Sequence, residues 1–141
     1  MSERVYAHFI GIGGAGMSGI ARVLHDRGVA VTGSDLKGSR YAQALTAIGV
    51  PVSIGHDAAN LGDPEIVVIS SAIPERNPEL AAARERGIPV WPRAKMLAHL
   101  AGDLATVAVA GTHGKTTTSS MIATMLDNMT LDPTFLIGGE V

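Results

Sequence analysis

There is no cysteine among the 141 residues. That excludes disulfides, thiolate zinc sites and cysteine nucleophiles, and it fits a reducing compartment. Aromatic residues are scarce, at 4%, and charged residues make up only 17%. Basic residues are not in excess: 11 Lys and Arg stand against 13 Asp and Glu, a formal net charge of −2. A protein gripping nucleic-acid phosphates needs the opposite balance, so no nucleic-acid partner is expected. Long apolar runs are missing as well. The densest, Ile66-Val67-Val68-Ile69, falls far short of the ~20 residues of a membrane helix. The segment Met1–His8 has no basic stretch leading into an apolar one, so no signal peptide is read there. A cytoplasmic protein without a membrane partner is the expectation.

What the chain does have is 46% hydrophobic residues and 17 glycines. Ala, Val and Ile with few aromatics suit a parallel sheet covered by helices on both faces. The order along the chain agrees. Strands are expected at Val5–Ile10, Ala30–Gly33 (extending through Ser34 to Asp35), Val52–Ile54, Ile66–Ser70 and Pro89–Trp91. Helices are expected at Ala15–Arg27, Ser39–Ile48, Pro78–Arg86 and Arg93–Leu100, with Gly28, Gly49 and Gly87 as stops. Asn77 before Pro78 reads as a helix cap. Such β-α repetition predicts a Rossmann-like, doubly wound, mostly parallel α/β sheet. Near Ala101-Gly102-Asp103 the pattern restarts, with a strand over Thr106–Ala110, a turn over Gly111–Gly114 and a helix over Thr116–Asn128. Thr134–Ile137 reads as one more strand. The expected division is residues 1–102 and 103–141, the second being the first strand, loop and helix of a P-loop domain.

Gly11-Ile12-Gly13-Gly14-Ala15-Gly16 fits G-x-G-x-x-G between the first strand and first helix. The first glycine permits a tight turn, the second a close approach of backbone to a pyrophosphate, and the third close helix–strand packing. The helix N-terminus adds N–H groups and partial positive charge. Met17, Ile20, Ala21 and Leu24 follow at helical spacing, and Ser18 offers a hydroxyl. Asp35, at the end of the second strand, stands where an acid meets ribose hydroxyls in nicotinamide enzymes; it fits a helix cap or turn residue equally. A glycine turn needed only for packing is the plain alternative for the loop.

Gly111-Thr112-His113-Gly114-Lys115-Thr116-Thr117 also follows an expected strand and opens a helix. Its consecutive N–H groups suit phosphate oxygens, Lys115 suits the β- and γ-phosphates of ATP, and Thr116 suits Mg²⁺. The loop is shorter than G-x-x-x-x-G-K-[ST], since Val109 stands at the first position of that pattern. A solvated lysine and an ordinary turn histidine are the plain readings of Lys115 and His113.

The segments around these loops carry a more specific likeness. His8–Ala21, Gly33–Asp35, Gly55–Asp57, Ser70–Ile73, Asn77–Glu79, Arg93–Leu97, Ala110–Thr118 and Leu131–Gly139 together resemble the Mur ligase family, over nearly the whole chain. The resemblance implies three domains: one for a UDP-sugar, a central one for ATP and a last one for an amino acid. This chain would hold the first and the opening of the second, and would be inactive alone. Within the family the likeness points to the ligase that joins L-alanine to UDP-N-acetylmuramate in peptidoglycan biosynthesis. There the muramyl carboxylate attacks the γ-phosphate of ATP, releasing ADP and giving an acyl phosphate. The amine of L-alanine then attacks the acyl carbon and phosphate leaves. The resemblance implies that Gly11, Gly13, Gly14, Ala15, Gly16, Met17 and Ser18 hold the UDP pyrophosphate. Asp35, His56, Ser70 and Ser71 are implied as uridine or ribose contacts, though His56 also fits a turn and Ser70-Ser71 a strand end. Gly111, Thr112, His113, Gly114, Lys115, Thr116 and Thr117 are implied for ATP, with Lys115 catalytic and Thr116 toward Mg²⁺.

Glu79, Arg84, Glu85 and Arg86 read as a solvated helix face, and Met121, Ile122, Met125 and Leu126 as core. With little chain after that helix its apolar face would be open, so self-association or mobility is expected beyond Gly102. Three rivals stand beside the main reading: the related ligase that attaches a whole tripeptide to the same UDP-sugar, a nicotinamide-dependent oxidoreductase supported by the first loop and Asp35, and a pure nucleotide-sensing module.

Overall fold

The computed structural model describes residues 5–102, 104–131 and 133–136. The chain divides into two compact units, one through Leu100 and one from Ala101. The first is a five-stranded, all-parallel sheet built from β1 (Ala7–Ile10), β2 (Val31–Asp35), β3 (Val52–Ile54), β4 (Ile66–Ile69) and β5 (Val90–Pro92), in the spatial order β3-β2-β1-β4-β5. Between them run α1 (Ala15–Asp26), α2 (Arg40–Ala47) and α3 (Pro78–Glu85), with α4 (Arg93–Ala101) after β5.

Strand side chains alternate between faces, and each face has its own cover. Ala7, Phe9, Val31 and Val68 pack with Met17, Ile20, Ala21 and Leu24 of α1, Leu45 of α2, and Met96 and Leu100 of α4. Ile10 and Val67, on the opposite face, pack with Leu80 and Ala83 of α3 and with Leu61. Leu61 belongs to a short 3₁₀ turn, Ala58–Leu61, started by the Asp57 carboxylate accepting from the Ala59 N–H at 2.8 Å; the sequence pattern did not indicate it. The α3 start is as expected, with Pro78 in the first turn and Asn77 Oδ1 accepting from the N–H groups of Glu79 and Leu80. No described helix is long and apolar enough to cross a membrane.

The second unit contains α5 (Lys115–Asn128). The strand expected over Thr106–Ala110 is not formed. A strand exists by exchanging hydrogen bonds with a neighbour, and the described part of this unit offers none. Residues 134–136 are not a strand either, and Ile137 lies outside the described residues. On α5 the expected core is half realised: Ile122 and Leu126 are half-buried, while Met121 and Met125 are 69% and 55% exposed.

Candidate functional site

The strand order reverses between β1 and β4, so a crevice opens beyond their C-terminal ends. The glycine-rich loop lies there. Gly11 turns with φ +85, a conformation a side chain resists. The N–H groups of Gly11 and Ile12 both donate to the Ser34 carbonyl, at 2.8 and 3.0 Å. Ile12 is buried against Gly33 of β2, where a Cβ would collide with it. The chain then enters α1 through Gly14, and no side chain caps that helix. Its first-turn N–H groups, from Ala15 to Met17, are therefore the ones a helix leaves for an external acceptor.

Neighbouring segments hold this loop in shape. Asp35 Oδ2 accepts from the Gly13 N–H at 2.8 Å, and the Ser39 hydroxyl donates to the Gly13 carbonyl at 2.9 Å. A Cβ on Gly13 would meet both Asp35 Oδ2 and Ser39 Oγ at 2.7 Å. So Asp35 braces the loop backbone, with its other oxygen receiving the Lys37 N–H at 3.3 Å. Met17 is buried in the core, and what it can offer an anion is its N–H. Ser18 is buried too, its hydroxyl turned back onto the Ala15 carbonyl at 3.0 Å. Ser70 and Ser71 form the turn after β4, closed by the Ile73 N–H to the Ser70 carbonyl, and Ile73 packs beside Gly11. The guanidinium of Arg93, at the start of α4, lies against Gly16, where a Cβ would strike it. Arg93 thus puts a full positive charge beside the loop. Sequence reasoning had not singled it out, because the contact joins residues far apart in the chain.

A second cluster lies under the same edge of the sheet and overturns one expectation. Glu79 is not on a solvated helix face: it is fully buried, whereas Arg84, Glu85 and Arg86 are exposed as expected. From the first turn of α3 its carboxylate reaches the polar side chains of β1 and β2. His8 Nε2 donates to Oε1 at 2.6 Å, the Ser34 hydroxyl donates to Oε2 at 2.8 Å, and His56 Nδ1 donates to Oε2 at 2.6 Å. Thr32 Oγ1 lies 2.8 Å from His8 Nδ1 and completes that ring's bonding. Burial pushes the Glu79 carboxyl up. The hydrogen bonds from His8, Ser34 and His56, with the electrostatic attraction of His8, outweigh burial and hold it below its ordinary value. Glu79 is therefore a carboxylate at neutral pH, and every donor around it points inward. His56, which follows β3, keeps its ring 12% exposed. The available signal for this cluster was His8, a polar residue in the middle of a strand buried on both faces, which demands a partner.

In the second unit, Gly111 to Gly114 form an exposed loop. Gly114 takes φ +76 and leads directly into α5, which no side chain caps. Thr118 N–H donates to the Gly114 carbonyl, so the helical ladder of α5 begins there. Lys115, Thr116 and Thr117 occupy the first turn of α5, and Thr112 and His113 lie in the loop. No group of three or more His, Asp or Glu that could hold a metal occurs among the described residues.

The sequence matches the Mur ligase family, catalytic domain, over residues 6–104. It is 60% identical over 134 residues to the UDP-N-acetylmuramate–L-alanine ligase of Rubrobacter xylanophilus, covering 95% of this chain and 30% of that protein. It is 55% identical to the ligase of the same name from Acidiphilium cryptum, covering 95% and 28%. The chain thus spans under a third of the length of these curated relatives. Among solved structures, the UDP-N-acetylmuramate-alanine ligase of Thermotoga maritima superposes with a TM-score of 0.94 at 34% identity, covering 98% of this chain and 33% of that one. The UDP-N-acetylmuramate:L-alanyl-gamma-D-glutamyl-meso-diaminopimelate ligase of Neisseria meningitides gives 0.86, also at 34%, covering 98% and 44%. A parallel sheet with a glycine loop at its switch point, joined to a match over most of the first unit, shows that the chain belongs to the Mur ligase family.

Proposed function

We propose that residues 1–102 bind UDP-N-acetylmuramate and that residues 103–141 open an ATP-binding domain, as the N-terminal part of a cytoplasmic ligase that joins L-alanine to that UDP-sugar. The observation that carries the reading is the glycine loop: braced by Asp35 and Ser39, it leads into an uncapped helix with Arg93 alongside. The pyrophosphate would take the N–H groups of Ala15, Gly16 and Met17, with Arg93 countering its charge, while the Gly14 N–H closes the turn onto the Gly11 carbonyl at 3.3 Å. Gly11 and Gly13 shape the turn. Asp35 acts by holding the loop, and His56, Ser70 and Ser71 stand at the strand ends where the nucleoside would lie.

For ATP, the uncapped α5 and the positive φ of Gly114 fit a phosphate cradle. Gly111, Thr112, His113 and Gly114 would supply its backbone, Thr117 would close it, and Lys115 would offset charge on the transferring phosphoryl group. Mg²⁺, when bound, would neutralise phosphate charge, with the Thr116 hydroxyl on its side.

L-alanine is favoured over a tripeptide because the curated relatives at 54–60% identity carry the L-alanine name. The Thermotoga L-alanine ligase also superposes more closely than the Neisseria tripeptide ligase at equal identity. Calorimetric titration with UDP-N-acetylmuramate and with NAD tests the reading. Saturable binding of the UDP-sugar alone is expected; binding of NAD alone would replace this reading with the oxidoreductase.

A further inference from the structure

The Glu79 cluster has no part in holding phosphates, yet it reaches the rim of the proposed site through one residue. Glu79 is fully buried and ionised, and a carboxylate can only accept. The hydrogen of the 2.6 Å contact with His56 must therefore sit on Nδ1. A neutral imidazole protonated at Nδ1 carries its lone pair on Nε2. His8 and Ser34 fix the carboxylate in turn, at 2.6 and 2.8 Å, from the neighbouring strands β1 and β2. Ser34 Oγ also lies 3.2 Å from His56 Nδ1, so both partners meet the same ring nitrogen. The left-handed Gly55 (φ +90) before it and the capped 3₁₀ turn after it anchor the backbone at both ends.

We propose that Glu79 is a positioning residue for nucleoside recognition, holding the His56 ring so that Nε2 is presented to the ligand as a hydrogen-bond acceptor. The inference rests on the UDP-sugar reading above. The chemistry that matches such an acceptor is a donor on the nucleoside: the imide N–H of uracil or a ribose hydroxyl. Cytosine, whose corresponding ring nitrogen is itself an acceptor, would be disfavoured.

Two measurements test this on the whole chain. The first is a long-range ¹H–¹⁵N spectrum of the wild-type imidazoles in mildly alkaline buffer. The expected result is a proton on Nδ1 of His56 and none on Nε2; a proton on Nε2 overturns the proposal. This needs no variant, so it stands even if substitution of Glu79 prevents folding. The second is a double-mutant cycle on UDP-N-acetylmuramate affinity, with Glu79→Gln, His56→Asn and the pair. Asn keeps an N–H toward Glu79 but lacks the outer nitrogen. Each single change is expected to weaken binding by ~10-fold, the loss of one hydrogen bond, and the double variant to bind no worse than His56→Asn. Multiplying effects would mean that Glu79 acts independently of His56 and would overturn the proposal with the UDP-sugar reading intact. A wild-type chain that binds no UDP-sugar at all would remove both. With UDP analogues, the penalty for N3-methylation or for 2′-deoxygenation should vanish in His56→Asn, and which one vanishes names the donor; if both persist, the assignment of Nε2 fails.

Discussion

Replacing Glu79 by Ala should cost the first unit a substantial share of its stability. The change leaves three donors without their acceptor: His8 Nε2 and Ser34 Oγ, both buried, and His56 Nδ1, nearly so. An orphaned buried donor costs ~1–3 kcal/mol, and breaking a buried charged pair costs ~3–5 kcal/mol. A loss of about 3–5 kcal/mol is the consistent figure, against a total of ~5–15 kcal/mol for a domain. Glu79→Gln keeps the shape and one acceptor oxygen, so it should fall between, at ~1–3 kcal/mol. Trp91 is the single tryptophan and belongs to β5. Its fluorescence during urea unfolding therefore reports on this unit alone.

The pH dependence gives an independent check. The Glu79 carboxyl lies below its ordinary value of 4.5 in the folded protein. A depressed folded pKa means that the unfolded chain binds the proton more readily. Its contribution to stability is then present above 4.5 and is lost as pH falls through the lower folded value. The gap between wild type and Glu79→Ala should accordingly narrow on acidification below that range. A Glu79→Ala protein within ~0.5 kcal/mol of wild type at neutral pH, the range of ordinary surface changes, would refute the network as a stabilising element. So would a gap that widens with acid.

Three further outcomes are expected. Gly13→Val should lower both stability and UDP-N-acetylmuramate affinity, because its side chain displaces Asp35 and Ser39 from the loop; unchanged affinity in a folded protein would refute the pyrophosphate assignment. Arg93→Ala should weaken UDP-sugar binding by up to ~10-fold and flatten its salt dependence, while urea unfolding stays near wild type because Arg93 is exposed; an unaltered salt dependence would detach Arg93 from the site. Met121→Lys with Met125→Lys should reduce self-association in light scattering, since these side chains leave an apolar stripe on α5; a strictly monomeric wild type would refute that expectation.

The order of strands and helices in the first unit was legible because its elements carry their own signals. Asn77-Pro78 caps a helix, Gly28, Gly49 and Gly87 end helices, and Ile66–Ile69 is a four-residue β-branched run. These are local effects, and each strand and α-helix of the sheet unit lies within a few residues of where its signal put it. Thr106–Ala110 carries the same kind of signal and forms no strand. Strand propensity describes fitness for a pleated, half-buried surface and supplies no partner. The same sequence beside a neighbouring strand would have the hydrogen bonds that its backbone lacks here.

The site divides along the same line. The glycine loop was legible, since its spacing after a strand encodes close approach within one turn. The brace behind it was not, because Asp35 and Ser39 reach Gly13 across the sheet edge. Glu79 was misread for a related reason. Its neighbours Arg84, Glu85 and Arg86 are exposed, and charge composition averages over a helix that in fact turns one carboxylate inward. The clue lay on another strand. His8 interrupts the apolar run of β1, and β2 carries Thr32 and Ser34 on the same face. A buried polar stripe of this kind is stable only if something charged or polar descends onto it. A helix starting at Asn77, on the side of the sheet where Ile10 and Val67 pack, has Glu79 in its first turn to do so. Read together, the stripe and the acid specify each other; read separately, each passes for an ordinary residue.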